Sequence, residues 1–78
     1  MHLSDIIASI IQIDKSSITE ETSPTMVGQW TSMKQLALIN SVESTYNVRF
    51  TISEMKKLNN VGAFLEVLRN KGVQDVFL

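Results

Sequence analysis

Apolar side chains recur with helical spacing in three stretches of the chain. Leu3, Ile6, Ile7 and Ile10 fall at i, i+3, i+4 and i+7, with Ile11 beside them, which makes one helical stripe. A run of isoleucines favours strand by propensity, but the spacing and length favour a helix over about residues 3–13, with Ser4 or Asp5 at its start. Leu36, Leu38, Ile39, Val42 and Tyr46 cover a broad apolar arc, and Lys34, Ala37, Ser41, Ser44 and Thr45 lie on the other side. This second helix is expected to begin at Thr31 or Ser32, since Ser32 and Gln35 match capping-box spacing, and to stop at Asn47. Val61, Phe64, Leu65 and Leu68 repeat the i, i+3, i+4, i+7 stripe. Asn60 fits its cap, and Lys71 and Gly72 mark its end.

The intervening segments read differently. Residues 14–31 are rich in Ser, Thr, Pro and Gly and predict a long loop, pinned by Ile18, Met26, Val27 and Trp30. Val48, Phe50 and Ile52 alternate with polar residues, but no convincing partner strand exists, so an extended connector is expected. Thr51 and Glu54 again have capping-box spacing and predict a short helix at about 53–58. Residues 73–78 form a short apolar tail that either folds back or frays. The predicted class is all-α. One domain over residues 1–78 forms a small four-helix bundle of three main helices and a short third one, with a long loop after the first.

Composition narrows the function. With 78 residues there is room for one small core and little for a buried active site as well. The chain is 44% hydrophobic, too apolar for a disordered segment. It has no cysteine, which excludes a disulfide framework and a cysteine metal site and suits a reducing compartment. The net charge of −1 favours neither nucleic acid nor an anionic membrane. Ile6 to Ile13 is too short to span a bilayer and lacks signal-peptide flanks, so a cytoplasmic protein is expected. The front of the chain is acidic (Asp5, Asp14, Glu20 and Glu21 against Lys15). The middle is mildly basic (Lys34, Arg49, Lys56 and Lys57 against Glu43 and Glu54).

Sets of catalytic residues are missing from the pattern. His2 is the only histidine, placed near a terminus expected to be mobile, so a zinc site is not expected. Glu20 and Glu21 are adjacent in a polar loop and read as solvated surface. The three glycines are scattered and form no phosphate loop. One hydroxyl remains, that of Ser32 where the long loop meets the second helix. As an N-cap it would accept from the free amides of the first turn. As an attachment point it would hold a phosphodiester at the positive end of a helix. Helix geometry alone favours the cap.

The surroundings of Ser32 add a resemblance. Trp30-Thr31-Ser32-Met33 resembles the Asp-Ser-Leu/Met attachment motif of acyl carrier proteins. The likeness extends over nearly the whole chain. A helix and a long loop precede the serine, and Ile18 lies fourteen residues before it, like the loop's apolar anchor in that family. The pattern Leu36, Leu38, Ile39, Val42, Glu43 and Tyr46 follows, then Asn47-Val48-Arg49-Phe50 like the family's connector. Ser53 to Leu58 resembles its short helix, and Asn59-Asn60-Val61-Gly62 the capped start of its last helix.

The resemblance implies 4′-phosphopantetheine carried on Ser32, with acyl or aminoacyl groups held as thioesters on the arm's thiol. The implied partners are a phosphopantetheinyl transferase and the enzymes that load and process the cargo. The protein itself would be no enzyme, and a monomer is expected. Several features depart from the family pattern. Thr31 stands where Asp is usual, Gly28 lies four residues before the serine instead of two or three, and Trp30 is bulky. The second helix also lacks the acidic face of the carriers of ordinary fatty acid synthesis. Its recognition surface is expected to comprise Thr31, Met33, Lys34, Ala37, Asn40 and Glu43, which implies a carrier dedicated to a specialised pathway. The alternative is a carrier-like adaptor without attachment chemistry. A helical nucleic-acid binder and a small enzyme fit the charge and the polar residues less well.

Overall fold

The computed structural model describes residues 2–78, and the regular elements of these residues are all helical. Helix α1 spans Leu3–Ile7 and continues as a wider π-helical turn over Ala8–Gln12. A helix thus occupies the expected stretch, but its second half is wound more loosely. The stripe changes with it: Leu3, Ile6, Ile7 and Ile11 are buried, and Ile10 is left half-buried at the margin. Gln12 adopts a left-handed conformation, φ 64°, and ends the helix. The start differs from the expected Ser4 or Asp5 cap. His2 is the N-cap, and its amide donates to Asp5 Oδ2 at 3.3 Å, so Asp5 serves from inside the first turn. Its ring lies 5.9 Å from that of Phe77.

The tail folds back. Val76 is buried, and the carbonyls of Phe77 and Leu78 accept from the Leu3 and Ser4 amides at 2.8 and 2.9 Å. The first amides of α1 are therefore satisfied by the other end of the chain.

The long loop is pinned by Ile18 and Trp30, both buried, and by half-buried Val27. Met26, expected among the pins, is 66% exposed. Within the loop a 3-10 turn at Lys15–Ser17 is capped by Asp14. Thr22 is buried, and its hydroxyl accepts the Thr19 amide at 2.9 Å.

Helix α2 spans Ser32–Tyr46 and ends at Asn47 in the left-handed conformation, as its sequence predicts. Leu38, Ile39 and Val42 are its buried positions. The extended connector buries Phe50 and half-buries Val48, but Ile52 points outward as the first residue of α3, Ile52–Met55. The Thr51–Glu54 capping box forms, with bonds of 3.1 and 2.8 Å. The short helix is therefore earlier and shorter than the expected 53–58, because the cap residue itself sets where the helix begins.

Helix α4 spans Val61–Asn70 with Asn60 as cap, and the whole predicted stripe Val61, Phe64, Leu65 and Leu68 is buried. Gly72, φ +92°, turns the chain out of the helix. Helices α1, α2 and α4 share one apolar core, against which Met55 of α3 packs; within it α1 and its π turn pack on α2 and the Phe64 ring meets Phe50 edge-on at 6.3 Å. Among the described residues, no helix is long and apolar enough to cross a membrane.

Candidate functional site

The start of α2 is built by its neighbours. Trp30 is 4% exposed, so the chain enters the helix from a side chain sunk in the core. Thr31 follows in extended backbone, and its hydroxyl accepts the Lys34 amide at 3.3 Å. Thr31, not Ser32, is thus the cap. The expected Ser32–Gln35 capping box does not form, because Gln35 is engaged elsewhere. Its Oε1 accepts the Trp30 indole N–H at 2.7 Å, and its Nε2 donates to the Leu58 carbonyl at 3.1 Å. One amide side chain therefore joins the loop, α2 and the chain just after α3.

This leaves Ser32 as the first helical residue, exposed, with a hydroxyl that no other described residue engages. The Ser32 and Met33 amides belong to the first turn, which has no intrahelical acceptors. Thr31 meets only the third amide of that turn. An exposed hydroxyl beside open helix amides can carry a phosphodiester, whose charge those amides and the helix dipole stabilise.

Beside Ser32 opens a groove of about 710 Å³. Its floor is Trp30, Ile39 and Leu58, and α2 and α3 supply the walls through Leu36, Ile52 and Met55. Leu36 is 61% and Ile52 73% exposed, and Met33 on the same helix end is 82% exposed. Such large apolar side chains left in water at one place mark a surface that takes a ligand or a partner. Lys56 and Thr25 supply polar groups at its edge.

Against known protein families and curated proteins, the chain finds no match. The site's own geometry therefore carries the functional reading.

The residues expected on the recognition surface divide into two groups. Thr31, Met33, Ala37 and Asn40 are exposed. Lys34 and Glu43 are half-buried and have internal partners. The Lys34 ammonium lies 3.5 Å from the Ile11 carbonyl, and the Glu43 carboxylate accepts the Phe50 amide at 2.8 Å. The exposed face of α2 is consequently close to neutral. The groove residues Leu36, Ile52, Met55 and Gln35 were not among the expected site residues. In the sequence Leu36 and Ile52 look like core positions and Gln35 like half of a capping box, while Met55 closes the short α3 half-buried.

The displaced titrations belong to helix ends and turns. The Lys15 ammonium, 2.6 Å from Asp5, holds that carboxyl below the usual range, and Ser16 does the same for Asp14. Lys71, 2.8 Å from Glu54, lowers the Glu54 pKa, with the Thr51 amide assisting. Burial raises that of the Tyr46 phenol, with Asp5 adding to the shift.

Proposed function

We propose that this protein is an acyl carrier: a bundle that holds acyl or aminoacyl intermediates as thioesters on 4′-phosphopantetheine attached to the Ser32 oxygen. The observation that carries the reading is the division of labour at the start of α2. Thr31 takes the cap, and the next hydroxyl is left exposed at the mouth of an apolar groove. A serine needed only for helix stability would occupy the cap position itself. The bound group would supply the thiol that the chain lacks. Ser32 would hold its phosphodiester against the open amides of the first turn, and Leu36, Ile52 and Met55 would shelter apolar cargo. The partners are a phosphopantetheinyl transferase and the enzymes that load and process the cargo. The neutral face of α2, with Met33, Ala37 and Asn40 exposed, suits partners that dock by apolar contact, as in a specialised pathway.

Intact mass tests this. The protein is incubated with coenzyme A, magnesium and a broad-specificity transferase, beside Ser32→Ala. A gain of one phosphopantetheine in the parent alone is expected. A chain that stays unmodified with several transferases would instead be an adaptor, whose exposed Met33, Leu36 and Ile52 form a docking ridge.

A further inference from the structure

Gln35 joins three segments beneath the groove, and that linkage bears on which cargo fits. Its Oε1 accepts from Trp30 Nε1 at 2.7 Å, and its Nε2 donates to the Leu58 carbonyl at 3.1 Å. Trp30 and Leu58 are themselves buried. The floor of the groove is therefore tied shut by two hydrogen bonds that cross from the loop to α2 and from α2 to the chain just after α3. The apolar core holds Leu38, Val61, Phe64 and Leu65, all almost completely buried. A chain that reached this core would have to part α2 from Leu58. That would strip the indole N–H or the Leu58 carbonyl of its partner, and an alkyl group cannot replace either bond. A chain lying above the tie meets no such barrier. It rests on Leu36, Ile52 and Met55, which are already turned toward the groove.

We infer that Gln35 is a length-selecting strut, which restricts this carrier to short acyl groups lying in the surface groove and excludes long chains from the bundle interior. The inference rests on the carrier reading for its cargo, but its test does not need attachment. Trp30 is the only tryptophan in the chain and forms part of the groove floor, so its emission reports occupancy. The probes are hexanoyl-pantetheine and dodecanoyl-pantetheine, free in solution and titrated into the full chain below their aggregation limits.

Each methylene that leaves water tightens binding by roughly fourfold, so six more carbons would gain roughly a thousandfold or more if all were buried. With the strut in place, both probes shift Trp30 emission saturably, and the longer one binds less than about tenfold tighter, since its added carbons remain in water. Gln35→Leu removes both bonds, and the ratio of the two affinities should rise at least about tenfold above the parent's. Gln35→Glu keeps an acceptor for Trp30 but loses the donor to Leu58, so its ratio should fall between. That variant carries the test if circular dichroism finds Gln35→Leu unfolded. A parent that already gains for every added methylene, a ratio unmoved in the folded variants, or no saturable response to either probe would overturn the inference. Failure of Ser32 attachment is read separately, by mass, and leaves these titrations interpretable.

Discussion

Two helices in this protein start in nearly the same way and end up with opposite surroundings. Asn60 caps α4 by accepting the Ala63 amide at 2.8 Å, and Thr31 caps α2 by accepting the Lys34 amide at 3.3 Å. The amides between cap and third position differ. At α4, the Val61 amide donates to the Thr22 carbonyl at 3.0 Å and the Gly62 amide to the Glu20 carbonyl at 2.9 Å. The loop lies so close that a β-carbon on Gly62 would sit 3.2 Å from the Glu20 oxygen. At α2 no loop crosses the first turn in this way, and Ser32 and Met33 remain exposed. Five residues after each cap stands a leucine. Leu65 is buried and Leu36 is open to water. Local capping chemistry is therefore equal in the two helices, and what differs is whether the rest of the chain closes over it. Where it does, the result is stability. Where it does not, a hydroxyl, two amides and an apolar groove remain available.

The widest contrast should come from the paired leucines. Leu65→Ala is expected to cost about 2–5 kcal/mol, through lost burial and the cavity left in the core. Leu36→Ala should change stability by less than about 0.5 kcal/mol, since its side chain is already in water. Urea unfolding of both variants measures the difference. Equal losses would mean that the groove is closed in solution and that the two helix starts are alike after all.

Much of the α4 side is legible in the amino-acid sequence. A residue that must be buried repeats every third or fourth position, and Val61, Phe64, Leu65 and Leu68 do so without exception. The α2 side is less legible for two physical reasons. An apolar residue announces a preference for burial but not the presence of something to cover it, so Leu36, Met26 and Ile52 look like core and are not. Adjacent hydroxyls also offer the helix two caps one residue apart. The choice between Thr31 and Ser32 goes with the destination of Gln35, which pairs with Trp30 and with Leu58, 23 residues away. The same holds for Lys34 and Glu43, whose charges look free along the chain and are engaged by backbone groups in space.

Smaller effects sharpen the comparison at the caps. Asn60→Ala and Thr31→Ala should each lower stability by about 1 kcal/mol, since each leaves a first-turn amide without its acceptor. Ser32→Ala should be close to neutral, within about 0.5 kcal/mol, because its hydroxyl supports no helix bond. Thermal or denaturant unfolding of the three variants decides this. A loss at Ser32 matching that at Thr31 would return Ser32 to the cap and remove the main support for attachment.

The smallest effect comes from acid, and it separates the helices differently. Asp5 and Glu54 stand three residues after the caps of α1 and α3, where a carboxylate meets the cap amide. The corresponding residues of α2 and α4 are Lys34 and Ala63, which carry no such group. Lys15 and Lys71 hold the two carboxyls below their ordinary values in the folded chain. As pH falls, the unfolded chain therefore binds protons first, near the ordinary carboxylate value of about 4. Stability declines from there and is lost as pH passes through the lower folded values. Both groups keep part of their surface in water, so the decline should be modest. The urea midpoint is expected to be lower at pH 3 than at pH 7. In an Asp5→Asn, Glu54→Gln double variant that gap should narrow, because neither position can then titrate. A gap of unchanged size would place the acid-sensitive pairs elsewhere and leave the starts of α1 and α3 no more dependent on charge than those of α2 and α4.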